Sequence, residues 1–139
     1  MKPITLTALA LSLIIVSPYT YSDDTTDKDL TLGGIEFERS CAVCHGLQGH
    51  GNGVMADSLK TTPTDLTKLS KNNHGHFPFT RVYQVIEGSP RVGVHGSREM
   101  PVWGNRYREE AEQYDANEYL YTRGLILELV VYLISIQEE

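Results

Sequence analysis

The sequence predicts an all-α fold, and three observations support this prediction. Residues 79–88 and 118–137 repeat apolar side chains at helical spacing. No segment shows the alternation of β-branched residues that a half-buried strand requires. The chain has 139 residues, enough for one domain with a modest core and too few for two. We therefore expect one helical domain with one functional site.

The N-terminal residues have the composition of a secretory signal. Lys2 gives a positive start, residues 4–16 are mostly apolar, and residues 18–22 are polar or small. The apolar part is shorter than the roughly 20 residues of a spanning helix, and an uncleaved membrane anchor is the alternative. We expect export to the periplasm. The chain then divides into a signal peptide, a polar leader and the domain: residues 1–22, 23–31 and 32–139.

Charge narrows the classes of partner. The formal net charge is −6 at pH 7, so the chain lacks the basic surface with which proteins follow a nucleic acid backbone. Acidic residues gather in segment 108–118, which we interpret as an extended connector with a solvated face or as a surface that steers a basic partner.

The first half of the domain is predicted to be short helices and loops. Residues 32–45 form a helix, and the glycine-rich residues 46–53 form a loop. This loop is not a phosphate cradle, because no Gly-Lys-Ser/Thr follows it. Single helical turns are expected at residues 55–59 and 64–69 on either side of Pro63.

The second half is predicted to contain two longer helices and a long loop. One helix opens at Pro78 and ends at Gly88, with an apolar face that we expect to be buried. Residues 88–104 contain too many glycines and prolines for a helix or an inner strand. The last helix, residues 118–137, carries an apolar stripe of Leu125, Leu129, Tyr132, Leu133 and Ile136.

The residues Cys41-Ala42-Val43-Cys44-His45 form the attachment signature of a c-type haem. On a helix, positions i, i+3 and i+4 share one side, so both thiols and the imidazole face one object. The thiols can add to the two vinyl groups of a haem, and His45 can reach its iron. The second ring nitrogen of His45 then needs a backbone carbonyl to fix its tautomer.

Three other interpretations of the cysteines were weighed. A thioredoxin-like dithiol needs a βαβ context, which this sequence lacks. A zinc site needs a second ligand pair, for which His74 and His76 are the candidates. A simple disulfide between Cys41 and Cys44 would leave His45 without a role.

At the level of its motifs the sequence resembles the class I cytochromes c, in particular bacterial monohaem domains. Their Gly-x-x-x-Phe-x-x-x-Cys-x-x-Cys-His pattern is matched by Gly33, Phe37, Cys41, Cys44 and His45, and their final Leu-x-x-Tyr-Leu helix by Leu129, Tyr132 and Leu133. The resemblance covers residues 32–137. It implies a cytochrome c-like fold of three to five helices around one haem. It also implies that the first and last helices cross at Gly33, with Phe37 and Tyr132 packed at the contact.

The second iron ligand decides the chemistry, because a histidine and a methionine together saturate the iron and an open site binds small molecules. A ligand on the opposite haem face needs a long intervening chain, which Met100 has and Met55 lacks. We interpret Met55 as a core residue and His95 as the alternative ligand. Pro101 holds Met100 in an extended backbone, and the resemblance implies that the methionine of this Met-Pro pair is the ligand.

Other residues near the haem are left open by the sequence. Trp103 and Tyr83 could wall the haem or bond its propionates, or could be core aromatics. Arg91 and Arg98 could pair with propionates, or could be solvated.

These observations predict an electron-transfer protein with one covalent haem c, not an enzyme. Cys41 and Cys44 hold the haem, and His45 and Met100 bind its iron. The expected partners are redox proteins, with no nucleic acid and with membrane contact only through partner complexes or a retained anchor. The alternative is a haem enzyme or gas sensor with an open distal site, in which His95 or Arg98 supplies hydrogen-bond donors.

Overall fold

A computed structural model describes residues 31–89 and 100–138. Those ranges contain helices and no strand, which confirms the all-α prediction. The predicted signal peptide, the leader up to residue 30 and residues 90–99 of the long loop lie outside the described residues. The α-helices are α1 (Leu32–Ser40), α2 (Ala42–His45), α3 (Phe79–Glu87), α4 (Trp103–Gln113) and α5 (Glu118–Ser135). Short 3-10 helices cover Ala56–Ser58, Leu66–Lys68 and Lys71–Asn73.

Helix α1 begins at a side-chain cap and ends at Ser40. Cys41, the first residue of the cysteine motif, separates it from α2. The hydroxyl of Thr31 accepts a hydrogen bond from the backbone N–H of Gly34 at 3.0 Å, which satisfies one of the free donors of the first turn. Cys41 closes α1 and opens α2, so the helix predicted over residues 32–45 is divided at this residue. The N–H of Cys41 still donates to the carbonyl of Phe37, so helical hydrogen bonding continues across this residue.

Helices α1 and α5, the first and last of the fold, pack directly on each other. A Cβ atom added to Gly33 would overlap the carbonyl oxygen of Glu128, so the two backbones approach as only glycine permits. Next to this contact, the rings of Phe37 and Tyr132 lie 5.0 Å apart between centroids, and both side chains are buried. The expected contact of Gly33, Phe37 and Tyr132 is therefore confirmed.

Helix α4 corrects two predictions from the sequence. The sequence predicts that the long loop continues to Gly104, and an extended connector is one of its two interpretations of residues 108–118. Instead, α4 begins at Trp103, and only four residues separate its end from α5. Three buried residues spaced four apart, Trp103, Tyr107 and Ala111, form its inner face, and this short apolar stripe is enough to dock the helix.

A buried polar network joins α1 to α4. The carboxylate of Glu36, which is 4% exposed, accepts hydrogen bonds from the Tyr107 hydroxyl at 2.7 Å and the Ser40 hydroxyl at 2.6 Å. Arg39 bonds to the same carboxylate and reaches across to Glu110 on α4 at 3.1 Å. Desolvation by burial and the bond to Glu36 both raise the pKa of the Tyr107 phenol above its ordinary value.

The core is formed by the inner sides of α1, α3, α4 and α5. On α3, Val82 and Ile86 are buried as predicted, but Phe79 at the start of the helix is 43% exposed. The buried residues of α5 are Thr122, Ile126, Leu129, Val130, Tyr132 and Leu133. Among the described helices, none combines the length and apolar character needed to cross a membrane.

Candidate functional site

A cavity of about 510 Å³ lies between α1, α3, α5 and the segments that connect them. Its volume falls within the range of small-molecule and cofactor sites in proteins. Much of the wall is apolar, and it includes Phe37, Leu59, Leu66, Leu69, Val82, Val85, Ile86, Trp103, Leu129 and Leu133. A cavity with this lining can hold a flat, largely apolar group and keep water away from it.

The cysteine motif forms one wall of the cavity. The backbone N–H of Cys41 donates to the carbonyl of Phe37 at 2.8 Å, and the N–H of His45 donates to the carbonyl of Cys41 at 2.9 Å. Helical hydrogen bonding thus keeps the motif in the arrangement that its spacing predicts, and Cys41, Cys44 and His45 all line the cavity. The two thiols are not joined in a disulfide.

Cys41 is half-buried in this wall. Desolvation by burial, and secondarily the nearby carboxylate of Glu36, raise the pKa of its thiol to about 12. At neutral pH the folded protein therefore holds Cys41 as an uncharged thiol, which is a weak nucleophile.

His45 has the backbone partner that was expected for it. Its Nδ1–H donates to the carbonyl oxygen of Thr64 at 3.0 Å. Because a carbonyl oxygen can only accept, this bond places a hydrogen on Nδ1, and in the neutral imidazole the lone pair is then on Nε2. A neutral histidine with its lone pair on Nε2 is a metal ligand whose orientation is fixed by its other nitrogen.

The loop of residues 46–53 places the Thr64 carbonyl within reach of His45. Gly51 has a positive φ of 79°, and its N–H donates to the carbonyl of His45 at 2.8 Å. A Cβ atom at this position would overlap the carbonyl oxygen of Pro63. Gly51 is therefore required for the loop to pack against the segment that holds the imidazole.

Met100 lines the same cavity as the cysteine motif, although 54 residues of sequence separate it from His45. It is half-buried and packs against the core beside Pro101 and the buried Trp103. The four residues predicted to hold and ligate a haem, Cys41, Cys44, His45 and Met100, are thus brought to one cavity.

Other predicted residues are placed differently. Met55 is 44% exposed and does not line the cavity, so its interpretation as a core residue is wrong. Trp103 lines the cavity and Tyr83 does not. His74 and His76 are exposed. The alternative ligand His95 and the candidate propionate partners Arg91 and Arg98 lie outside the described residues.

Sequence reasoning missed the polar part of the cavity wall. Arg81 on α3 is the one Lys, Arg, Asp or Glu residue among the described residues that line the cavity, and Asn72 and Asn73 line it as well. Arg81 lies one helical turn before Val85, so the two residues share a helix face. This spacing could have predicted that Arg81 lies beside the cavity.

Within residues 31–89 and 100–138, no three His, Cys, Asp or Glu side chains converge as a group that could hold a metal ion. Within these residues, Cys41 and Cys44 therefore have no second pair of ligands with which to form a zinc site.

Comparisons of the chain with protein-family models, with curated proteins and with solved structures each gave no match. What the chain does must be inferred from its own residues.

Proposed function

We propose that the protein is a monohaem c-type cytochrome that transfers electrons between redox partners. The observation that carries this proposal is the convergence of Cys41, Cys44, His45 and Met100 on one cavity. The first three come from one motif and could be neighbours in any helix. Met100 belongs to a distant segment, so its presence on the same cavity is an independent point of support.

Each residue has a role that follows from its chemistry. Cys41 and Cys44 would form thioether bonds, in which each sulfur bonds to a vinyl carbon and the thiol hydrogen passes to the neighbouring carbon. His45 would bind iron through Nε2, since Nδ1 is occupied by the Thr64 carbonyl. Met100 would supply the opposite ligand. A haem iron held in this way supplies a one-electron change of charge.

The polar residues of the wall suit the carboxylate edge of a haem. Arg81 brings one positive charge to an otherwise largely uncharged cavity, with the amides of Asn72 and Asn73 nearby in the wall. A guanidinium group and amide donors are suitable partners for propionates. The apolar remainder would surround the macrocycle.

Electron transfer is favoured over catalysis because two protein ligands leave the iron closed to substrates. In this proposal the chain is exported to the periplasm, where it accepts an electron from one redox protein and passes it to another. Redox partners would approach the haem edge.

The test is to produce the chain in a host that exports it and attaches c-type haem, with Met100→Ala and Met55→Ala as variants. We expect haem that stays bound after denaturation and a far-red charge-transfer band in the ferric protein. Met100→Ala should abolish this band, and Met55→Ala should leave it unchanged because Met55 does not line the cavity.

Two outcomes would contradict the proposal in different ways. Haem that is released on denaturation, or never acquired, would exclude covalent attachment through Cys41 and Cys44. Covalent haem with high-spin iron that readily binds carbon monoxide or cyanide would exclude firm ligation by Met100. The second result would favour a haem enzyme or gas sensor.

A further inference from the structure

The outer face of α5 carries a regular apolar stripe that the domain core does not use. Its members are spaced alternately four and three residues apart: Leu120, Gly124, Leu127, Val131 and Ile134. The four large side chains are 68, 39, 59 and 44% exposed in chain order. The buried residues of α5 lie on the opposite side of the helix, so the domain core is complete without this stripe.

Alternating spacings of three and four are those of a two-helix seam. In heptad terms Leu120, Leu127 and Ile134 occupy d positions, and Gly124 and Val131 occupy a positions. Val131 at a with Leu127 at d is the combination that favours two strands among parallel coiled coils. The spacing therefore suits another helix better than it suits an irregular partner surface.

Gly124 leaves room for that helix. A Cβ atom added there would have no heavy atom within 4 Å, in contrast to Gly33 on α1, where α5 fills the space. A second helix can therefore approach α5 closely at the a position of Gly124. The residue weakens α5 as an isolated helix, because glycine is a poor helix former.

The charges that flank the stripe match between two copies of α5. Arg123 is at a g position and Glu128 at the following e position, five residues later. In a parallel, in-register pair, the g residue of one helix faces the next e residue of the other. A twofold axis would therefore bring Arg123 of each copy, whose guanidinium contacts the Tyr119 ring and hydroxyl on its own helix, within reach of Glu128 of the second copy.

We propose that the protein forms a parallel homodimer through this α5 stripe. The inference is independent of the haem, because the α5 stripe lies on the side of the helix away from the cavity residues Leu129 and Leu133. The stripe spans 15 residues, or about 21 Å of helix. So short a seam makes a small interface, and the dimer dissociates on dilution.

The test is sedimentation velocity of the exported, processed protein over about a hundredfold concentration range. We expect the average mass to rise from that of a monomer towards that of a dimer. Leu127→Lys should abolish the rise. Val54→Lys is the matched control, because Val54 is 87% exposed and lies outside the stripe. Gly124→Leu should weaken the dimer, because the added side chain fills the space through which the second helix approaches α5.

A charge exchange tests the parallel register. Arg123→Glu alone and Glu128→Arg alone should each weaken association by about fivefold, since each places two like-charged pairs in the dimer. The two substitutions together should restore it. Circular dichroism and the melting temperature at low concentration should show that every variant remains folded.

Three results would overturn the proposal. The protein could remain monomeric at every concentration, or it could associate equally well with Leu127→Lys. The charge exchange could also fail to restore the association that each single substitution weakens. If the processed protein is monomeric, proteolysis of the full-length chain can identify another occupant. Protection that depends on residues 1–22 would assign the stripe to that segment of the chain.

Discussion

Gly33 and Gly124 both lie inside helices, but their surroundings differ. At Gly33 the backbone of Glu128 occupies the place of a Cβ atom, and at Gly124 that place is open. The same substitution should therefore have opposite effects at the two positions.

We expect Gly33→Ala to lower the free energy of unfolding by about 2 kcal/mol, because α1 must move away from α5. Gly124→Ala should raise it by roughly 0.5–1 kcal/mol, because alanine loses less backbone entropy in a helix. Urea denaturation at low protein concentration measures both. Equal effects would show that α1 and α5 are not in close contact at Gly33.

Asp65 gives a prediction for acid pH. The hydrogen bond from Lys68, followed by that from the Thr67 hydroxyl, lowers the pKa of its carboxyl from 3.8 to about 2. The folded state therefore holds the ionised form more strongly than the unfolded state does. The stabilisation is complete above about pH 4 and is lost as the pH falls through 2.

Asp65→Asn should accordingly reduce stability near neutral pH by at most about 1 kcal/mol, since the ion pair with Lys68 is partly solvated. The difference between variant and parent should disappear between pH 4 and pH 2. Unfolding free energies measured in steps across this range provide the check. A difference that grows towards low pH would reverse the assigned sign.

At the scale of single residues, the sequence predicted which kind of group contacts His45, but it did not predict which residue supplies that group. A backbone carbonyl was expected at the second nitrogen of His45, and the structure supplies that of Thr64. The choice of Thr64 depends on how the loop around Gly51 folds back on Pro63, a contact between segments 12 residues apart. Periodicity within one segment carries no information about such contacts.

At the scale of elements, the link between α1 and α4 depends on Tyr107 and Glu36. Removing the hydroxyl in Tyr107→Phe takes one donor from a buried carboxylate. We expect a loss of about 2 kcal/mol in the free energy of unfolding, the usual contribution of a hydrogen bond to a charged group.

Tyr114→Phe is the control for this substitution. Tyr114 lies at the end of the same helix and is 67% exposed, so the loss of its hydroxyl should leave stability unchanged. Thermal or urea unfolding of the two variants distinguishes the network from a general effect of replacing tyrosine. Equal losses would show that the bond to Glu36 contributes nothing specific.

Helix prediction succeeded for α3 and α5 and failed for α4 for a physical reason. Helix α3 has a marked apolar face, ends at Gly88, and follows Pro78. Helix α4 has only three buried apolar residues among many charged ones, and it directly follows a segment rich in helix breakers. Its stability comes from docking on α5 rather than from its own composition.

At the scale of the whole molecule, the cavity joins segments that are far apart in sequence. Its wall runs from Phe37 on α1 to Leu133 on α5, which are 96 residues apart. The sequence indicated that Cys41, His45 and Met100 would meet, because their chemistry implied one cofactor. It did not indicate Arg81, because α3 was interpreted only as a core helix.

The cavity also predicts how the proposed haem would affect stability. Without a bound group, the side chains that line this cavity of about 510 Å³ make fewer van der Waals contacts. We expect the haem-loaded protein to melt at least about 10 °C above the same chain produced without haem attachment. Differential scanning calorimetry of both forms is the measurement, and coincident melting would show that the cofactor does not occupy this cavity.

The burial of Cys41 has a consequence for the order of events during biosynthesis. In a chain exported from its N-terminus, the cysteine motif emerges about 70 residues before α5 begins, while its thiols are still in water. Once α1 has docked on α5, the Cys41 thiol has a pKa of about 12 and little thiolate remains. For the proposed cytochrome, we therefore expect haem attachment at Cys41 to be faster before the last helix docks than after it.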